Sequence, residues 1–219
     1  LRETIRALGL EGKSAAQVGC NNARELLSLA SLKVIPSVGI DQSGAFLEQG
    51  RVLAKAAGLE PRLIEADIYD LPDDVGTFDL VLVTIGVLNW MPDLGGFFRV
   101  IAGLLGPGGH LLVYETHPVM EMFDPESDTP HEPAISYFRT DPLKEEGLIS
   151  YDGVDHGSGE TGYWFIHTLG QIVTSCATAG MTITSLKEFG YSIREPEYDV
   201  YEGREAQIPM SYLLHARKM

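Results

Sequence analysis

The sequence predicts a doubly wound α/β fold: a seven-stranded, mostly parallel sheet with helices on both faces and one antiparallel strand near its edge. Three observations carry this expectation. Through the first half, short apolar runs alternate with longer amphipathic ones, as parallel strands do when crossover helices join them. The final two apolar runs are linked by "REPEYDVYEGREAQIP", which has no helical periodicity, so they pair antiparallel. The 219 residues suit one well-cored domain.

In chain order, strands are expected at Ser14–Val18, Val34–Ile40, Arg62–Ala66, Phe78–Thr84 and His110–Glu115, with helices at Ala23–Leu32, Ser43–Ala57 and Leu94–Leu105. Ser43 can cap the second helix, and Gly58 stands where a left-handed C-terminal residue is wanted. "GPGG" at 106–109 ends the third helix and turns the chain into the fifth strand. After Pro118 the rhythm breaks. Residues 119–160 are rich in Pro, Asp, Glu and Gly and read as an insertion in the single domain 1–219, too small and polar for a core of its own. Two aromatic pieces inside it, "ISYFR" and "LISYDG", are suited to pair as a hairpin. Thr168 with Gln171 then makes a capping-box start for a helix running to about Ala179. "MTITSLKEFGYS" and "MSYLLHARK" supply the last two strands.

Composition narrows the function. Sixteen Lys and Arg against 31 Asp and Glu leave a net charge of −15, which repels a polyanion, and no basic cluster compensates. Nucleic acid is not expected as a partner. No apolar run approaches the roughly 20 residues that cross a bilayer, and the opening residues lack a charged-then-apolar signal pattern. No membrane association and a cytoplasmic location are therefore expected. The first residue is Leu, so a native start is expected upstream. Two cysteines, Cys20 and Cys176, make neither a disulfide framework nor a zinc site, and no metal is expected.

In an open α/β sheet, ligands bind at the carboxyl ends of the strands, near the point where the winding reverses. Polar and small residues stand there: Gly19-Cys20-Asn21 after the first strand, Asp41 after the second, Asp67 after the third, Thr84-Ile85-Gly86 after the fourth and Glu115-Thr116-His117-Pro118 after the fifth. Asp41 follows the first glycine by about 20 residues, where a carboxylate can hold ribose hydroxyls.

The pieces "QVGCNNAR", "GIDQS", "EADIYDLP", "FDLVLVTIGVLNWMPD" and "LLGPGGHLLVYETHP", in this order, resemble the class I S-adenosylmethionine-dependent methyltransferases, a Rossmann-like family, over essentially the whole chain. The resemblance implies S-adenosylmethionine as cofactor; a small molecule is the first acceptor class expected, with a protein side chain second. It places the cofactor loop on Gln17, Gly19, Cys20, Asn21 and Ala23, the ribose-binding acid on Asp41 with Gln42 near the adenine, and the adenine contacts on Asp67 and Ile68. Thr84 and Ile85 match the turn that faces the methionine end, and Leu88–Trp90 the stretch that walls the acceptor pocket. Asp41 also suits a turn or helix cap, and Trp90 also suits plain packing.

The loop departs from the family's acid-x-Gly-x-Gly-x-Gly. Asn21 tolerates a left-handed turn, and Ala23 stands where close helix packing is demanded. Gln17 keeps hydrogen-bonding capacity but loses the charge that would favour the cofactor's ammonium and sulfonium. These changes support an alternative, a catalytically impaired binding or scaffold protein. A nicotinamide cofactor fits less well, because Asn21 and Arg24 stand where G-x-G-x-x-G needs glycines. "TIGVLNW" does not match the "(D/N)PP(Y/F)" pattern of DNA amino-methyltransferases.

Methyl transfer needs a general base only when the nucleophile arrives protonated. His117, His131, His156 and His167 are candidates. His117, just past the fifth strand, is the best placed, with ordering of the "THP" turn as its other reading. Glu115 is suited to hydrogen-bond loop backbone. Tyr137, Phe138, Tyr151, Tyr163 and Trp164 supply aromatic surface for a lid over the acceptor or for a homodimer contact, with Trp90, Tyr137 and Trp164 as the acceptor-contacting set.

Overall fold

A computed structural model describes residues 1–146 and 161–219. Tyr151, His156 and the piece "LISYDG" lie outside the described residues. The elements run α1 (Arg2–Ala7), β1 (Ser14–Val18), α2 (Arg24–Ser28), β2 (Ile35–Asp41), α3 (Gly44–Ala57), β3 (Arg62–Glu65), β4 (Phe78–Thr84), α4 (Leu94–Leu104), β5 (Leu105–Thr116), β6 (Leu143–Glu146), β7 (Thr161–Trp164), α5 (Leu169–Thr178), β8 (Met181–Phe189) and β9 (Ser211–Lys218).

Seven strands form one sheet in the order β3-β2-β1-β4-β5-β9-β8. Strands β1 to β5 pair parallel, whereas β9 runs antiparallel to both neighbours, β5 and β8. The reversed strand is thus one in from the edge, as the missing crossover helix implies. Winding reverses between β1 and β4, which opens a crevice at their carboxyl ends.

Period-two alternation sorts the core into two layers. Val81 and Val83 of β4 join Val18, Leu111 and Val113 against Phe97, Phe98 and Ile101 of α4 and Ile172 and Cys176 of α5. Leu80 and Leu82, on the other face, join Ala15 and Leu112 against Ile5 of α1, Leu26 of α2 and Leu47 of α3. Helix ends follow the local chemistry. Ser43 Oγ accepts from Phe46 N–H at 3.3 Å, Gly58 closes α3 in the left-handed region, and Thr168 with Gln171 completes the capping box of α5.

Several expectations shift. The helix expected over Ala23–Leu32 is an α-turn to Ser28 followed by a 3-10 turn, Leu29–Leu32. Strand β5 begins at Leu105, with "GPGG" bulging between the Phe78–Leu105 and Leu80–His110 pairs. "ISYFR" forms no strand. Its Ser136 turns the chain locally by accepting from Phe138 N–H through Oγ and from Arg139 N–H through its carbonyl, and Tyr137 Oη accepts from Leu169 N–H at 2.9 Å. The hairpin is instead β6 paired with β7. Among the described residues no helix is long and apolar enough to cross a membrane.

At the end of the sheet away from the crevice, His110 Nδ1 lies 2.9 Å from His215 Nε2, and His215 Nδ1 lies 2.6 Å from Thr184 Oγ1. Burial holds both imidazoles below the ordinary range, helped by Arg217. Each ring therefore binds its proton less readily folded than unfolded. Their stabilising contribution is complete above the unfolded value and is lost as pH falls through it toward the folded one. Thermal unfolding of His110→Gln between pH 7.5 and 5.5 should show a smaller loss of Tm on acidification than the wild type, with the difference opening below about pH 6.5.

Candidate functional site

Polar side chains at or just past the strand ends organise the loops of the parallel half. At the end of β1, Gln17 is 1% exposed, and its amide is shared between two elements. Oε1 accepts from Leu26 N–H at 2.8 Å, in the first turn of α2, and Nε2 donates to Thr84 Oγ1 of β4 at 2.8 Å. The neutral side chain is thus a strut beneath the loop.

The loop above it takes three left-handed residues in alternation: Gly19 at φ 62, Asn21 at φ 50 and Ala23 at φ 59. Asn21 behaves as its residue type allows, and its Oδ1 accepts from Asn22 N–H at 2.7 Å. Ala23 differs from the expectation. It is a buried N-cap in a strained backbone region, not only a packing position, because the chain must reverse there to enter α2. Gly19 is required twice over, since a Cβ there would overlap the Val87 side chain.

Asp41, closing β2, accepts from Asn21 N–H at 2.7 Å through Oδ2 and from Ser43 N–H at 2.9 Å through Oδ1. One carboxylate therefore ties the β1 loop to the start of α3. Asp67 makes a smaller turn of the same kind, accepting from Tyr69 N–H at 2.9 Å. Glu115 does the largest such task. Fully buried, it accepts from Gly86 N–H at 2.6 Å and Leu88 N–H at 3.2 Å, pinning the loop after β4. Burial pushes its carboxyl up to about 7 against the pull of these backbone donors.

The loops enclose a cleft of about 1030 Å³ at the carboxyl ends of the strands. Gln17, Gly19, Cys20, Asn21, Asp41, Gln42, Asp67, Ile68, Thr84 and Ile85 all line it, and so do Trp90 and Trp164. Cys20 contributes backbone: its buried sulfur packs beneath the loop, where a Cβ on Gly39 would strike it, and burial pushes its thiol up to about 12. Thr84 Oγ1 is occupied by Gln17.

Two expected residues lie elsewhere. Tyr137 is not among the lining residues, because its hydroxyl serves the start of α5. His117 is 3% exposed and also absent from the lining. Its Nδ1 accepts from Val119 N–H at 3.1 Å, and Nε2 lies 2.9 Å from Glu188 Oε1 of β8. Burial holds its imidazole below the ordinary range, opposed by Glu188. This geometry orders the "THP" turn. His131 packs against Tyr201, and His167 Nε2 lies 2.8 Å from Met91 carbonyl oxygen.

The cleft lining also includes residues the sequence did not single out, among them Tyr69, Met91, Ile193, Arg194 and Glu195. Residues 193–195 follow β8, which lies parallel to β1–β5 and so ends at the same edge of the sheet. That parallel direction is the signal that could have marked them. Asn89 fastens the returning chain by donating from Nδ2 to Phe165 carbonyl oxygen at 2.9 Å, while Phe165 N–H donates to Asn89 carbonyl oxygen at 2.7 Å.

Residues 16–113 match the methyltransferase domain family. Two curated relatives, both demethylmenaquinone methyltransferases, are similar over shorter stretches. The one from Thermus thermophilus is 40% identical over 84 residues, 37% of this chain and 36% of the relative. The one from Staphylococcus epidermidis is 31% identical over 117 residues, 52% of this chain and 47% of the relative. The chain thus spans under half the length of either. Among solved structures, an S-adenosylmethionine-dependent methyltransferase from Mesorhizobium loti matches with TM-score 0.67 and 20% identity, covering 99% of this chain and 96% of that one. Another, from Clostridium acetobutylicum, matches with TM-score 0.67 and 14% identity over 99% of this chain and 88% of that one. The match to the methyltransferase domain family covers 98 of the 219 residues, and over its whole length the chain has the fold of these solved S-adenosylmethionine-dependent methyltransferases.

Two substitutions test the loop's construction. Gly19→Ala should cost about 1–3 kcal/mol, from left-handed strain and the clash with Val87. Gln17→Ala should cost about 1–3 kcal/mol by orphaning Leu26 N–H and the Thr84 hydroxyl. Urea denaturation at unchanged m-value checks both.

Proposed function

We propose that the chain is an S-adenosylmethionine-dependent methyltransferase acting on a small molecule with a flat apolar portion. One observation carries the reading: a single cleft joins a half lined by acids at strand ends to a half walled by tryptophans. At about 1030 Å³ it exceeds the room one small ligand needs, so cofactor and acceptor fit side by side.

The residues present suit this cofactor. Asp41, held rigidly by two backbone donors, retains lone pairs for vicinal hydroxyls. Asp67 offers an acceptor for an exocyclic amine, and Ile68 an apolar face for a ring. A dinucleotide is less well served. Helix α2 is only five residues long, and Gln17 already occupies Leu26 N–H near its start. Bound S-adenosylmethionine supplies an activated methyl on a sulfonium, leaving alignment and exclusion of water to the protein. Trp90 and Trp164, edge to face with ring centroids 5.3 Å apart, serve that exclusion. His117 acts in this reading as a positioning group of its turn rather than as the base.

The impaired-scaffold alternative draws on Gln17, Asn21 and Ala23. The loop nevertheless keeps left-handed turns at positions 19, 21 and 23, which supports the enzyme instead. Calorimetric titration should show S-adenosylmethionine and S-adenosylhomocysteine both binding, and Asp41→Ala weakening each by about tenfold or more. No binding of either would sink the reading. The curated relatives make demethylmenaquinone the first acceptor to assay.

A further inference from the structure

The aromatic wall of the cleft is assembled from chain segments that no strand ladder joins to one another. Glu121 comes from the 3-10 turn Pro118–Met122 after β5, Trp164 ends β7, and Arg194 and Tyr198 follow β8. Arg194 gathers them. Its Nη1 lies 3.1 Å from Glu121 Oε1, and its Nε lies 3.3 Å from Glu195 Oε2. The guanidinium carbon sits 4.2 Å from the Tyr198 ring centroid and 5.7 Å from that of Trp164. The second oxygen of Glu121 accepts from Trp164 Nε1–H at 2.8 Å. Glu121 and Arg194 keep only 8% and 20% of their side-chain surface exposed.

A largely buried ion pair of this kind contributes little net stability, because desolvation offsets its attraction. Its consequence is geometric. An indole at the end of a two-stranded hairpin would otherwise sample several rotamers, and here both its edge and its face are taken up. The charges also matter. Glu121 and Glu195 answer the Arg194 guanidinium, so among the described residues this wall presents no uncompensated cation to a ligand.

We propose that Arg194 is a positioning residue that, through Glu121, locks Trp164 against Trp90 into an aromatic slot selecting flat, non-anionic methyl acceptors. The selection rests on the methyltransferase reading above; the locking does not. The chain has two tryptophans, Trp90 and Trp164, and both line this cleft, so tryptophan emission reports on the wall alone.

The test compares wild type with Arg194→Met and Glu121→Gln, using acrylamide quenching of tryptophan emission and calorimetry with S-adenosylhomocysteine, 2-naphthol and 2-naphthoate. Arg194→Met should raise the quenching constant about twofold or more and weaken 2-naphthol by about tenfold, while S-adenosylhomocysteine affinity stays within about twofold. Glu121→Gln, which keeps an acceptor for the indole N–H, should move quenching less. The wild type should prefer 2-naphthol to 2-naphthoate. Unchanged quenching in Arg194→Met, or a wild-type preference for the carboxylate, overturns the proposal. Failure of S-adenosylhomocysteine to bind the wild type overturns the methyltransferase reading, and the quenching comparison still decides the locking. If Arg194→Met does not fold, Arg194→Lys replaces it, keeping the charge without the planar stacking. Raised quenching there supports the lock, and wild-type quenching refutes it.

Discussion

Where the loops after β1 and β4 cross, the Val87 side chain fills the space that a Cβ on Gly19 would need. The cleft depends on this contact at the reversal of winding, because it sets how closely the two loops approach. Each loop is then pinned from behind. Gln17 holds the first by dividing its amide between Leu26 N–H and Thr84 Oγ1, and Glu115 holds the second by accepting from Gly86 and Leu88. A hydrogen bond of this kind contributes roughly 0.5–1.5 kcal/mol net, whereas orphaning a buried partner costs about 1–3 kcal/mol. The close approach is therefore enforced by buried side chains that brace the loops from behind.

The same device recurs along the sheet edge. Asp41 binds the β1 loop to α3, Asp67 shapes the turn after β3, and Asp93 caps α4 by accepting from Gly96 N–H. An acid at a strand end is thus first a builder of its loop. Only the lone pairs left over face the cleft. The turn-forming role of Asp41 is compatible with the proposed ligand contact, since its carboxylate keeps lone pairs beyond the two backbone donors. It also gives the cofactor side its rigidity, because these acceptors are oriented before anything binds.

The opposite wall is made differently. Asn89 stitches the chain entering α5 to the loop after β4, His167 meets Met91 carbonyl oxygen, and Arg194 draws Glu121, Trp164 and Tyr198 together. Side chains from distant segments replace the backbone turns of the cofactor half. A wall of this kind can change its shape with a few substitutions while the sheet and its loops stay as they are.

The sequence by itself determined the sheet, the reversal of one strand, the helix caps and the strand-end residues that line the cleft. These follow from local rules: apolar period, capping chemistry, and strand-end polarity at a known point of the winding. Asn21 in its left-handed turn belongs here, since the conformation lies within its own φ preference. Tertiary structure alone decided the strain at Ala23, the strut made by Gln17, the turning of His117 toward Glu188, and the arrival of Arg194 beside Trp164. In each of these a side chain's role depends on a partner far along the chain. His117 and Glu188 meet because β9 inserts between β5 and β8, and residues 193–195 reach the cleft because β8 runs parallel to the first five strands. Local pattern specifies which residues form an element; the direction and order of the packed strands decide what those residues face.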